Sequence, residues 1–273
     1  MKISVLMSVY ANDRADHLQQ ALSSIYEEQT HKPDEIVMVF DGPLTDELYA
    51  VLDGFKQNTP ITVTYVALEE NRGLGEALRI GSLQCTGDYI CRMDADDISH
   101  PQRFEKQVAY LAAHPDVDVV GTDIAEFYDS PDEENLRVRA CPAAHEDILR
   151  MSKKRNPMNH VTACMKREAL MQCGGYASLL LLEDYYLWLR MLTDGCTFGN
   201  VNESLVYVRI GNGFHSKRGS KIRIKGWRVL QDYMLQHGMI TRAEARMNMI
   251  YIRGFTYCPG WLRKIVYDKL LRK

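Results

Sequence analysis

Ile3-Ser4-Val5-Leu6-Met7-Ser8-Val9 is an apolar run broken only by two serines, and the residues after it decide the fold. Asn12 and Asp13 are turn and cap residues, and Leu18, Leu22, Ile25 and Tyr26 then recur at helical spacing, so the segment reads as strand, loop, helix. The unit repeats. Glu35 to Phe40 forms a second strand, Thr45 caps a helix carrying Leu48, Val51, Leu52 and Phe55, and Ile61 to Ala67 forms a third strand rich in β-branched residues. A Gly73/Gly75 loop leads into a helix over Leu74 to Leu83, and Tyr89 to Met93 is a fourth strand. Pro101, at the first-turn position that proline tolerates, starts a long helix to His114, and Val117 to Thr122 is a fifth strand. This alternation predicts an α/β fold with a mostly parallel central sheet flanked by helices, in which ligands sit beyond the carboxyl ends of the strands.

After Phe127 the regularity is lost. A loop over Asp129 to Asn135 precedes a strand at Val161 to Met165, a helix at Glu183 to Thr193 and a strand at Leu205 to Arg209. The rest reads as helical: Ile222 to His237, then a helix opened by a capping box of Thr241 and Glu244, then one opened by Pro259. The expected division is therefore a domain over 1–215, with a nucleotide-binding half at 1–125 and an acceptor half at 126–215, followed by a helical extension at 216–273.

With 273 residues, 46% hydrophobic and 25% charged, the chain has enough apolar material for a packed core. Its longest aliphatic run, Leu179 to Leu182, falls far short of the roughly 18 to 20 apolar residues of a membrane span. No signal cleavage site follows the first strand, so a cytoplasmic location is expected. Seven cysteines without a C-x-x-C pair argue against a disulfide framework or a zinc cage. The formal charge of −3 hides an asymmetry: residues 1 to 208 hold 18 Lys and Arg against 33 Asp and Glu, whereas 209 to 273 hold 15 against 3. A basic end of that strength points to phosphate, on a small ligand, a nucleic acid or an anionic membrane face.

Carboxylates cluster where a parallel sheet presents its ligand. Asp41 follows the second strand, and Asp94, Asp96 and Asp97 follow the fourth. Three acids within four residues repel one another unless something positive sits among them, and a divalent cation suits such oxygen ligands. Alone, the run reads more readily as a solvated acidic loop capping the helix at Pro101. Arg72, ahead of Gly73 and Gly75, has the planar fork that suits phosphate or ribose oxygens. The glycines at 211, 213 and 219 suggest a loop able to close over a diphosphate, with Arg209, Lys217 or Arg218 supplying charge.

Five motifs in order, Ser8-Val9-Tyr10-Ala11-Asn12, Asp41-Gly42, Asn71 to Gly75, Asp94 to Asp97 and Glu183-Asp184-Tyr185-Tyr186-Leu187-Trp188, closely resemble family 2 glycosyltransferases over residues 3 to 215. The resemblance implies the Rossmann-like GT-A fold and inverting transfer from a nucleotide sugar with Mn2+ or Mg2+. Residue by residue, it implies that Val9, Tyr10 and Asn12 lie along the nucleoside, Asp41 meets a uracil ring, Asp94 the ribose, and Asp96, beyond Ala95, the metal. Phe40 stands where the family often has a second acid. His215 matches the place of a further metal ligand in related enzymes. Glu183-Asp184 matches the acidic motif that supplies the general base, here assigned to Asp184; Trp188 reads as a core aromatic or an acceptor-stacking platform, and His160 as structural.

The size and basic tail resemble enzymes of bacterial O-antigen and polysaccharide assembly, whose saccharide acceptor is lipid-linked. The last helix, with Trp261, Leu262, Ile265, Val266, Leu270 and Leu271 among five basic residues, could touch an anionic membrane from the cytoplasmic side. Two other enzyme and binding classes share these acids. A nucleotidyltransferase would carry a Gly-rich basic loop directly after the first strand, where this chain has Tyr10-Ala11-Asn12-Asp13, and a noncatalytic nucleotide-sugar binder has no need of both Asp96 and Asp184. Nucleic acid is not an expected partner, because no recognised binding motif accompanies the basic tail.

Overall fold

The computed structural model describes residues 1–128, 130–131, 136–179, 181–210 and 222–258. Its elements in chain order are β1 (Ile3–Val9), α1 (Ala15–Ile25), β2 (Glu35–Phe40), α2 (Asp46–Asn58), β3 (Thr62–Ala67), α3 (Leu74–Ser82), β4 (Tyr89–Asp94), β5 (Ile98–Ser99) and α4 (Arg103–Ala113). There follow β6 (Val119–Phe127), β7 (Arg137–Arg139), α5 (His145–Ser152), β8 (Cys164–Lys166), α6 (Arg167–Gln172), α7 (Glu183–Thr193), β9 (Phe198–Arg209), α8 (Ile222–Gln236) and α9 (Arg242–Tyr257). The helix expected from Pro259 lies outside the described residues.

Among the described residues one sheet runs β3-β2-β1-β4-β8-β6-β9-β5, with β7 on β6. The first four strands are parallel, as the alternation predicts. Beyond β4 the sheet is mixed: β8 enters antiparallel to both β4 and β6, β9 runs parallel to β6, and β5 and β7 add antiparallel edges. Strand residues alternate between two cores. Val5, Met7 and Val9 pack with α1, α2 and α4, while Leu6, Val37 and Val39 pack with α3, α6 and the Trp188 face of α7.

Several local expectations shift. Pro101 sits in a turn in which the Arg103 N–H donates to the His100 carbonyl, and α4 begins two residues later, at Arg103, whose fully buried side chain donates to the carbonyls of Arg92 and Val161. The strand expected at Val161 to Met165 is a 3-10 turn at His160–Thr162 followed by β8, since Thr162 is needed to tie β6 by its hydroxyl. Trp188 is completely buried, which removes the stacking-platform reading. The capping box at Thr241 and Glu244 is present. All seven cysteines are free.

The α8–α9 pair packs on the outer face of α7: Leu182, Tyr185 and Leu189 share a core with Trp227, Leu230 and Met234. Asn248 of α9 donates to the carbonyl of Lys153 behind α5. No helix among the described residues is long and apolar enough to cross a membrane.

Candidate active site

Register places the candidate residues on one rim. Ser8 pairs with Asp94 and Val9 with Phe40, so β1, β2 and β4 end level and hand over to Tyr10, Asp41 and the acid run. Since β2 and β4 flank β1, the strand ends from which Asp41 and the acid run depart are about two strand spacings apart, roughly 10 Å. Val9 and Ala95 are buried and offer only backbone to a ligand, while Asn12 is exposed in the turn closed by Asp13, whose carboxylate accepts from the Tyr10 N–H at 2.9 Å. Burial, then the charges of Asp13 and Asp96, raise the Tyr10 phenol pKa.

Asp41 is buried and accepts from the backbone N–H groups of Arg72 at 2.7 Å and Gly73 at 3.0 Å. The aspartate therefore clasps the Gly73 loop to the end of β2. Gly42, with φ +88°, lets the two backbones close: a Cβ there would lie 2.7 Å from the Asn71 nitrogen. Arg72 itself is half exposed beside Glu70, at 3.7 Å. A Cβ at Gly75, in the first turn of α3, would lie 3.2 Å from the Glu183 Cβ, so two motifs far apart in sequence meet here.

The acid run divides its duties. Asp94 is ion-paired through both oxygens to the guanidinium of Arg92, a fully buried residue of β4. Asp97 is buried and accepts from the Arg209 backbone N–H at 2.9 Å, tying β9 to the run; burial and then the charges of Asp96 and Asp94 push its carboxyl well above the usual range. Asp96 is open to solvent on one side and enclosed by protein on the others. Desolvation, then Asp94, pushes its pKa up to about 6. Oxygen atoms of the three carboxylates lie within 4.8 Å of one another. With Asp94 committed to Arg92 and Asp97 to the backbone, Asp96 is the group projecting outward, and a divalent ion held mainly by one carboxylate keeps positions open for phosphate oxygens. The donor set fits such an ion.

Arg209 closes this corner. Its guanidinium donates to the Asp96 carbonyl at 3.1 Å and to Gln20 at 2.9 Å and lies 4.7 Å from the Phe127 ring centroid. His215, Lys217 and Arg218, the candidate metal ligand and phosphate cations, lie outside the described residues.

Glu183 and Asp184 open α7, just after Leu181, a non-glycine residue at φ 66°. Asp184 accepts from the Tyr185 N–H at 2.7 Å through one oxygen and from the Asn156 side-chain amide at 2.6 Å through the other. Asn156 is in turn held by the Met158 N–H at 3.2 Å. Burial, and then the charge of Asp184, raises the Glu183 carboxyl, while Arg92 opposes the rise. Tyr176, fully buried, has its phenol raised by burial and, to a lesser extent, by the charges of Asp184 and Asp94, while Arg92 opposes the rise. His160, also enclosed, meets the Tyr176 hydroxyl at 2.9 Å through Nε2.

Sequence reading missed Arg92, Asn156 and Tyr176. Arg92 had a signal, a charge inside the apolar run Tyr89 to Met93 that could only be buried with a partner. Asn156 and Tyr176 act through contacts 28 and 16 residues away, and no local pattern marks them.

Comparison with known proteins places this geometry. The amylovoran biosynthesis glycosyltransferase AmsE of Erwinia amylovora is 35% identical over 93% of this chain and 90% of its own length. An Escherichia coli UDP-Gal:alpha-D-GlcNAc-diphosphoundecaprenol beta-1,3-galactosyltransferase is 34% identical over 100% of this chain and 97% of its own. Among solved structures, S. aureus TarS 1-349 with UDP-GlcNAc superposes with a TM-score of 0.69 at 16% identity, covering 100% of this chain and 76% of that one. The mannosyltransferase PcManGT from Pyrobaculum calidifontis, with GDP-Man and Mn2+, gives 0.64 at 18%, covering 96% and 72%. At those identities the two structures speak for the fold. The model for glycosyl transferase family 2 matches residues 4–174, from β1 through the acid run to the loop after α6, and with these relatives it decides between the readings left open by the acids alone: the chain belongs to glycosyl transferase family 2 and is a glycosyltransferase.

Proposed function

We propose that the enzyme moves a hexose from a UDP-sugar to a saccharide carried on a lipid diphosphate, with inversion, in bacterial surface polysaccharide synthesis. The names of the Erwinia and Escherichia relatives support the acceptor class and the pathway type. In this reading Tyr10, Asn12 and Asp41 line the nucleoside, Asp41 also fixing the loop that presents Arg72; Asp94 meets the ribose. A divalent cation, Mn2+ or Mg2+, on Asp96 supplies the positive charge that a departing diphosphate needs. Asp184 takes the proton of the acceptor hydroxyl as that oxygen attacks the anomeric carbon from the far side. Asn156 holds the Asp184 carboxylate in orientation, and Arg209 and, from the sequence, Lys217, Arg218 and His215 complete the phosphate side.

One observation supports the proposal: a Cβ at Gly75 would lie 3.2 Å from the Glu183 Cβ, so the acidic pair of α7 lies against the loop that Asp41 clasps to the rim. Calorimetry with UDP and manganese, paired with a transfer assay over a panel of nucleotide sugars, tests it. Asp96→Ala is expected to lose metal-dependent UDP binding. Asp184→Asn is expected to keep that binding and lose transfer by about 100- to 10,000-fold, the usual worth of a general base. Glu183→Gln, packed against Gly75, is expected to lose less. Transfer by Asp184→Asn at the unmodified rate would overturn the base assignment.

A further inference from the structure

We propose that the groove between α8 and α9 seats the phosphate headgroups of an anionic phospholipid membrane. The groove encloses about 510 Å3 and is lined by Arg228 from α8 and by Arg242, Arg246 and Arg253 from α9, with Ile250 in its wall and Asp232 as its one acid. Positions 242, 246, 250 and 253 fall on one face of α9. Among the described residues none of the four arginines forms an ion pair with a carboxylate. Like charges one turn apart weaken a helix by a few tenths of a kcal/mol, a repulsion that an anion seated between them would relieve.

Exposed apolar side chains give the ligand its second property. Met247, Ile250, Tyr251 and Tyr257 are between 49% and 68% exposed on the same helix. Arginine with tyrosine and isoleucine is the chemistry of the headgroup boundary, where guanidinium meets phosphate and the rings and aliphatic chains sit in the interface. Charge complementarity selects among occupants. The segment after residue 258 carries five Lys and Arg against one Asp, so its charge does not complement the groove. A large polyanion in solution would meet the −15 balance of residues 1 to 208, whereas a planar membrane can be approached by the α8–α9 face alone. The opposite side of this pair packs on α7, the helix that begins with Glu183 and Asp184, so docking here would bring a membrane-borne acceptor toward the acidic pair. The inference rests on the proposed lipid-linked acceptor for its purpose only, because binding to a membrane requires no transfer.

Co-sedimentation of the full-length protein with phosphatidylcholine vesicles, with and without phosphatidylglycerol, tests the inference. The protein is expected to partition onto the anionic vesicles and to be released by salt. R246E/R253E, at exposed positions, is expected to fold, to bind UDP unchanged and to lose anionic-vesicle partitioning at least tenfold, while R246K/R253K keeps it. Unchanged partitioning of R246E/R253E would overturn the proposal and assign any binding to residues 259–273. Melting shifts with inorganic pyrophosphate give the other arm: a shift lost in R246E/R253E, without vesicle binding by the native protein, would make the groove a site for a soluble anion and overturn it as well. Failure of the native protein to bind UDP would count against the glycosyl-transfer reading and leave the vesicle result standing.

Discussion

His160 shows how the residues behind the site constrain its behaviour with pH. Burial, then the charge of Arg92, holds the imidazole pKa well below its usual value, and its Nε2 is engaged with Tyr176. In the unfolded chain the same group titrates near about 6.5, so below that pH the unfolded state takes a proton that the native state refuses. Stability is therefore lost as pH falls through about 6.5 toward the native-state pKa, by up to about 1.4 kcal/mol per pH unit. Asp96 acts with the opposite sign: its pKa is pushed up to about 6, so the native state gains the proton first and stability rises as pH falls through that value. Its solvent exposure discounts that contribution. Subtraction separates the two. His160→Gln, which can still meet the Tyr176 hydroxyl, is expected to lose less melting temperature than the native protein between about pH 7 and about pH 5. Parallel melting curves across that range would show that His160 is not held neutral.

At the scale of elements, the Gly73 loop is a separate part clipped onto the sheet. Asp41 grips it by two backbone N–H groups, and Gly42 permits the approach. Gly42→Ala must place a side chain in the left-handed region, at about 1 to 2 kcal/mol, and also drives the loop away from Asp41. UDP affinity is expected to fall about tenfold, the worth of one or two hydrogen bonds, as read by calorimetry. Gly54→Ala is the control: it lies within α2 with open space around it and is expected to stabilise by about 0.5 to 1 kcal/mol. Equal effects of the two substitutions would refute the clip.

The parallel elements were legible because strand and helix periodicities alternate cleanly up to Thr122, and the acid run was legible because it falls in order among four other motifs, at the strand ends where a parallel sheet presents its ligand. Other features had no local signature. Whether Asp41 faces a base or a loop depends on a loop 31 residues further on. Strand β8 is three residues long, too short for periodicity, yet it turns the sheet from parallel to mixed.

For the whole molecule, the sequence separates an extension at 216–273 from the rest, while packing joins its described helices to the candidate site. Trp227 of α8 meets Tyr185 of α7 edge-on, with ring centroids 5.4 Å apart, and both side chains are buried. Tyr185 follows Asp184 directly, and its hydroxyl donates to the Ser152 carbonyl at 2.5 Å, so the helix carrying the candidate base is held between α5 and α8. Deleting a large buried aromatic costs about 3 to 5 kcal/mol. In a chain of this size that corresponds to a fall in melting temperature on the order of 10 °C if α8–α9 and the sheet unfold together. Trp227→Ala is expected to shift one calorimetric transition by that amount, and to reduce transfer more than UDP binding, because α7 loosens while the rim formed by β1, β2 and β4 does not. A new low-temperature transition beside an unmoved main one would show instead that residues 222–258 fold as an independent unit, and that the orientation of α7 owes nothing to them.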